Sequence, residues 1–193
     1  MRRGLLAAVV AVVAMPAFGQ ASESYSFLKA VRERDGAKVT EIVSNPSSTA
    51  INARDSSSGE GALHVLVRGR DMSYLGFLLS RGARPDLQDN QGNTPLILAA
   101  SIGWAEGAEA LLARRANVNL PNNRGETPLI LAVQRRDLAL VRLLLSRGAD
   151  PRRSDSVAGY SALDYARRDN RAQQILRLLE TARPAQPAAG PPR

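Results

Sequence analysis

A chain of 193 residues has room for one domain with a targeting segment and a tail. Hydrophobic residues at 44% exclude wholesale disorder, while aromatics at only 4% leave the core to Leu, Ala and Val. Cysteine is absent, which excludes disulfides, thiolate metal sites and Cys nucleophiles, and the formal charge is +8, carried by 24 Arg and two Lys against 18 acids.

The chain opens with Arg2 and Arg3, followed by an uninterrupted small and apolar run of eleven residues from Gly4 to Ala14. Met15 and Pro16 break the run, and Ala17-Phe18-Gly19 or Gly19-Gln20-Ala21 supplies small residues for cleavage. Residues 1–21 therefore read as a secretory signal peptide. A spanning helix needs about 20 apolar residues, so the run is short for an anchor, although an uncleaved anchor remains the alternative. No Cys follows for lipid attachment. Loss of Arg2 and Arg3 lowers the charge from +8 to +6. A basic balance raises nucleic acid or an anionic surface as partners. Arg in such excess over Lys fits GC-rich coding better, and export argues against nucleic acid, so none is expected.

Residues 22–181 form the expected folded domain, and a four-fold internal repeat decides its architecture. Gly59, Gly92, Gly125 and Gly159 are separated by 33, 33 and 34 residues, and Asp55, Asp89, Asn122 and Asp155 by 34, 33 and 33. Ser80-Arg81-Gly82-Ala83, Arg114-Arg115-Ala116 and Ser146-Arg147-Gly148-Ala149 keep the same step. Within a unit, Thr94 and Thr127 are helix N-caps followed by Pro95 and Pro128 at the first helical position. Leu96, Leu98 and Ala99, like Leu129, Leu131 and Ala132, are expected to bury one face of a short helix. A second helix carries Leu138, Val141, Leu144 and Leu145 at spacings of three and four. Gly82 and Gly148 end such helices in left-handed conformation. Asp89-Asn90-Gln91-Gly92 and Asn122-Asn123-Arg124-Gly125 are turn chemistry at projecting tips.

A 33-residue unit opening on Thr-Pro-Leu resembles the ankyrin repeat, most closely at residues 94–100 and 127–133 and at Leu143 to Asp150. The resemblance spans Tyr25 to Glu180 and implies an all-α solenoid of stacked helix-turn-helix units with projecting β-turn fingers. The units are an N-terminal cap at 25–55, repeats at about 56–88, 89–121 and 122–154, and a C-terminal cap repeat at 155–180. Ser44 to Ala50 is an enlarged loop in the first cap, and Gln173, Gln174 and Arg177 give the last one a watery face. Residues 182–193, rich in Pro and Ala, read as a disordered tail.

Departures from the family pattern are informative. The family's usual His after Thr-Pro-Leu is present only as His64, a framework histidine, while Ile97 and Ile130 replace it by apolar packing. Gly107, Ala108 and Ala110 stand where the next repeat has Leu140, Val141 and Leu143, which leaves a gap that Trp104 could fill; a partner hot spot is the other reading of this Trp. Catalytic chemistry finds no setting. Glu106 and Glu109 lack a His or Cys beside them, the glycines never cluster into a phosphate loop, and no cofactor or metal is expected. Arg81, Arg114 and Arg147 read as last-turn cations favoured by the helix dipole, with an anionic-surface ladder as the alternative.

With the signal peptide and the missing catalytic residues, the expectation is a bacterial, exported, monomeric and non-enzymatic scaffold, and the resemblance implies a protein partner that sits on finger tips and first-helix ends. Those positions are Gln88, Asn90, Gln91, Asn93, Ser101, Ile102, Trp104, Asn123, Arg124, Glu126, Gln134, Arg135, Tyr160 and Arg168. The expected compartment is the periplasm. Two other readings stay open: arginine-dependent binding of anionic envelope surfaces, and a secreted effector that binds a protein of a host or neighbouring cell.

Overall fold

A computed structural model describes residues 17–182. Residues 1–16 of the expected signal peptide and 183–193 of the expected tail lie outside the described residues. The helices are α1 (Ala17–Glu33), α2 (Gly36–Ser44), α3 (Ala62–Arg68), α4 (Met72–Ser80), α5 (Pro95–Ile102), α6 (Ala105–Ala113), α7 (Pro128–Gln134), α8 (Leu138–Ser146), α9 (Ala162–Arg168) and α10 (Gln173–Thr181). A short 3-10 turn, Ala50–Asn52, leads out of the loop after α2. Both expected cleavage points lie within α1. Among the described residues no helix is long and apolar enough to cross a membrane.

The helices stack in two layers. The odd-numbered helices pack each on the next from α1 to α9, and α4, α6, α8 and α10 form a second row behind them. Each pair has one buried seam: Leu63, Leu66 and Val67 of α3 meet Leu75, Leu78 and Leu79 of α4, and Leu129, Ala132 and Val133 of α7 meet Val141 and Leu144 of α8. Small residues at Ala99, Ala100, Ala132 and Ala166 are fully buried and let neighbouring inner helices approach closely. No single pair could bury both of its apolar faces, so the stack is what closes the core.

Local sequence sets the helix ends. The Thr94 and Thr127 hydroxyls accept the backbone N–H groups of Ile97 and Ile130, with Pro95 and Pro128 opening the helices. Asp35, Asp71 and Asp137 do the same for α2, α4 and α8. Ser161 and Asp164 form a reciprocal capping box on α9, a Ser-x-x-Asp pattern readable in the sequence.

One expectation about the core changes, and of the two readings of Trp104 the gap-filling one holds. Leu98 and Leu131 are only half-buried and face outward, while Ile97 and Ile130 are buried at 1% and 0% exposure. Trp104 is not a surface residue: it is 6% exposed, and its indole lies on Gly107, where a Cβ would come within 2.1 Å of the ring. The indole, reaching down from the cap position, occupies the space that the side chain of Leu140 fills in the following repeat. Arg81, Arg114 and Arg147 stand one residue beyond the last turn, at the C-cap. Arg81 lies over the Phe77 ring at 5.2 Å, Arg114 donates to the Leu79 carbonyl, and Arg147 faces Glu109 at 3.7 Å.

Candidate functional site

The fingers are built on one repeated position, occupied by Asp or Asn. The Oδ1 of Asp89 accepts the N–H groups of Gln91 at 2.9 Å and Asn93 at 2.8 Å. Asn122 receives Arg124 and Glu126 in the same way, and Asp155 receives Val157, Ala158 and Gly159. The fingers are then zipped to one another: the N–H of Asn90 donates to the Ser58 carbonyl, Asn123 to Gln91, and Ser156 to Arg124, at 2.9, 3.0 and 2.8 Å. Such close approach requires glycine. At Gly92 φ is +77° and a Cβ would lie 2.6 Å from the Asn123 nitrogen.

This zipper uses several of the expected binding residues. The side chain of Asn90 donates to the Ser57 carbonyl and that of Asn123 to Asn90, while the Gln88 amide bridges Gly92 and Pro121. Asn93 accepts from the Asn122 amide on its side chain and from His64 on its carbonyl. Gln88, Asn90, Asn93 and Asn123 are thus structural as well as peripheral. Trp104, buried at the head of α6, does not belong to the exposed binding set. Gln91, Arg124, Gln134, Arg135 and Arg168 are exposed, and Ser101, Ile102, Glu126 and Tyr160 are half-buried. Asn90, Gln91, Asn93, Asn122, Asn123, Arg124 and Glu126 line an open cleft of about 460 Å³ between two fingers.

Next to the fingers, the inner helices expose one residue each in register. Val65, Leu98, Leu131 and Tyr165 are half-buried and form an apolar stripe; Arg68, Ser101, Gln134 and Arg168 follow three residues on. At the C-terminal end the Arg168 guanidinium lies 4.4 Å from the Tyr160 ring centroid, and Tyr160 meets Tyr165 edge to face at 5.6 Å. The Tyr165 hydroxyl donates to Asp155 at 2.6 Å. Burial raises the Asp155 pKa, but this hydrogen bond and the finger N–H groups outweigh it and hold it below the ordinary value, while the same bond raises that of Tyr165.

His64 is fully buried. Its Nδ1 accepts the Gly61 N–H at 3.1 Å, so Nε2 carries the proton and donates to the Asn93 carbonyl at 2.9 Å. Burial lowers its pKa, and the neutral ring ties one finger to the next repeat.

A second tie between repeats escaped the sequence reading. Arg34, Arg70 and Arg136 adopt positive φ, at 58°, 49° and 58°, in the turn between the two helices of their repeats. Arg34 reaches Asp71 at 3.4 Å and Arg136 reaches Asp169 at 2.5 Å. The Arg-Asp dipeptides at 34–35, 70–71 and 136–137 were the available signal.

Stacked helix pairs with hydrogen-bonded fingers and an exposed polar face define a repeat-solenoid binding protein. A family model described as ankyrin repeats in three copies matches residues 27–122, 63–155 and 108–186, and the chain belongs to the ankyrin-repeat family. Ankyrin repeats mediate protein–protein interaction and are typically non-enzymatic. The chain is 31% identical over 85 residues to oxysterol-binding protein homolog 1 of Saccharomyces cerevisiae, a match covering 42% of this chain and 7% of that protein.

Proposed function

We propose that the chain is an exported, non-catalytic scaffold of the bacterial periplasm that holds a partner protein against its finger tips and inner-helix ends. The observation that supports this reading is the face the framework leaves free. There the stripe Val65, Leu98 and Leu131 is bordered by exposed Gln91, Arg124, Gln134, Arg135 and Arg168, an apolar centre with a polar rim of the kind protein interfaces use. Export rests on the Arg2–Ala21 sequence pattern.

Cell fractionation followed by pull-down from the periplasmic fraction tests both parts. A specific partner is expected there, lost when Arg124, Gln134 and Arg135 are together changed to Ala. Retention of the chain in the cytoplasm overturns the compartment, and unchanged capture by the triple variant overturns the face.

A further inference from the structure

We infer that Arg168, set over the Tyr160 ring, is a preformed carboxylate receptor that anchors an acidic side chain of the partner protein. This inference rests on the reading of the finger-side face as the interface, and it names the chemistry at one end of it.

The support of this guanidinium is unusually complete for a surface side chain. Three finger N–H groups fix Asp155, Asp155 fixes the Tyr165 hydroxyl at 2.6 Å, Tyr165 meets the edge of Tyr160 at 5.6 Å, and Arg168 covers Tyr160 at 4.4 Å. Each contact limits the next, so Arg168 is held without using its N–H donors. Contact with an aromatic ring uses none of a guanidinium's N–H donors, and the side chain is exposed, so the paired donors that match a carboxylate stay available. Among the described residues Arg168 forms no ion pair and no hydrogen bond through its side chain.

Charge on this face points the same way. Glu60 is paired with Arg68, and Glu126 with Arg124 at 3.4 Å and with the Asn122 amide. Asp89 and Asp155 are buried under finger N–H groups, Asp169 is taken by Arg136, and Asp164, one turn before Arg168, gives one oxygen to its capping box with Ser161 and faces Arg167 with the other at 3.9 Å. The acids are thus satisfied internally. Among the described residues Arg135 donates only to the Ser101 carbonyl and the Arg168 side chain donates to nothing, so the unused binding capacity is cationic. A net charge of +8, or +6 after loss of Arg2 and Arg3, favours an acidic partner over the whole molecule as well.

An anionic lipid surface would meet the same charge without needing its geometry. A bidentate carboxylate needs the flat fork, which Lys cannot supply. This difference makes the inference testable. The full chain, labelled with ¹⁵N at arginine, is titrated at low salt with an octapeptide alternating Glu and Gly and with its Gln counterpart. The Arg168 Nε–H resonance is expected to shift with the Glu peptide and stay still with the Gln peptide. Arg168→Lys and Arg168→Gln should weaken the Glu peptide about tenfold or more. Tyr160→Leu, with its fold checked by circular dichroism, should weaken it as well, and Arg81→Gln should not.

Equal response to both peptides overturns the proposal. So does an Arg168→Lys chain that binds as well as the original, or an Arg81→Gln chain that binds as poorly as Arg168→Gln, since either means diffuse attraction. Binding to phosphatidylglycerol vesicles that depends on Arg168 while the Glu peptide leaves its resonance unmoved assigns the residue to a lipid surface and overturns it too. A captured partner whose affinity ignores Arg168→Gln but falls with the triple change at Arg124, Gln134 and Arg135 overturns the receptor and leaves the wider face standing.

Discussion

Exchanging Trp104 and Gly107 for the residues of the next repeat should cost less together than the sum of the two changes made apart. In α8 the cap is Asp137 and the third residue on is Leu140, fully buried. In α6 the cap is Trp104, which makes no side-chain cap bond, and the third residue on is Gly107. Trp104→Asp alone removes an indole that is 6% exposed. Loss of a core Trp costs roughly 3–5 kcal/mol, and a new Asp cap returns about 1 kcal/mol, for a net loss of about 2–4 kcal/mol. Gly107→Leu alone drives a Cβ to within 2.1–2.5 Å of the indole carbons. Overpacking of that kind costs about 1–3 kcal/mol and exceeds the gain of about 1 kcal/mol from removing a helical glycine. Together, the Leu enters the space vacated by the indole and the Asp caps the helix, so the double variant should fall within about 1 kcal/mol of the original. Urea unfolding followed by circular dichroism measures all four corners of the cycle, with a coupling of about 2 kcal/mol or more expected. Additivity within about 0.5 kcal/mol would show that the indole and Gly107 do not share one space, and would refute the account of repeat three.

Four further outcomes follow. The His64 pKa is lowered by burial, so the unfolded chain binds the extra proton first, and stability should fall as pH drops below the unfolded value of about 6.5. With one His in the sequence, that slope between pH 7 and 5 is at most about 1.4 kcal/mol per pH unit; His64→Ile should flatten it in pH-dependent urea titrations. Gly82 and Gly92 both have positive φ, at 90° and 77°, but a Cβ meets nothing at Gly82 and Asn123 at Gly92. Gly82→Ala should therefore cost about 1–2 kcal/mol in urea unfolding and Gly92→Ala distinctly more. The uncapped first turn of α6 should exchange its Gly107 amide about fivefold faster than the capped Leu140 amide of α8. Gly103→Ala brings a Cβ to 3.0 Å from the Arg135 guanidinium; it should displace that side chain from the Ser101 carbonyl, visible as a shifted Arg135 Nε–H resonance.

The fold was legible because three independent series keep one period, and because caps are local chemistry. Thr94-Pro95 and Thr127-Pro128 state where a helix begins without reference to anything distant. The facing of those helices was less legible for a geometric reason. Leu96 to Ala100 and Leu129 to Val133 are five consecutive apolar residues in helices of barely two turns. No periodicity inside such a run singles out Leu98 and Leu131 as the outward positions; the neighbouring repeats decide it. The candidate face suffered from the same distance effect. An Asn at a finger tip can serve a partner or the adjacent finger, and the carbonyl that occupies Asn123 lies 33 residues earlier, on Asn90. Tyr160 and Arg168 could each be placed at the surface, but their stacking joins a finger to a helix end and has no local signature.

Repeat three shows how a departure in the core is passed to the surface. Its inter-helix turn carries Gly103 and Trp104 where its neighbours carry Arg and Asp. Without an Asp at 104, Arg70 of the preceding repeat has no carboxylate to reach and donates instead to the Ile102 carbonyl at 2.8 Å. Without an Arg side chain at 103, the space beside that turn admits the Arg135 guanidinium, which settles on the Ser101 carbonyl at 3.0 Å. The substitution that moved an indole into the core thus also converted an acidic–basic ladder into two arginines held by backbone carbonyls. A carbonyl satisfies one donor of a guanidinium and neutralises none of its charge. The repeat that packs most irregularly is therefore the one that leaves Arg135 charged and unpaired beside Gln134, one repeat away from Arg168. Stability and recognition are coupled here through the turn at residues 103 and 104, and a variant that regularises repeat three with Gly103→Arg, Trp104→Asp and Gly107→Leu should keep the fold while it displaces the Arg135 guanidinium from the Ser101 carbonyl.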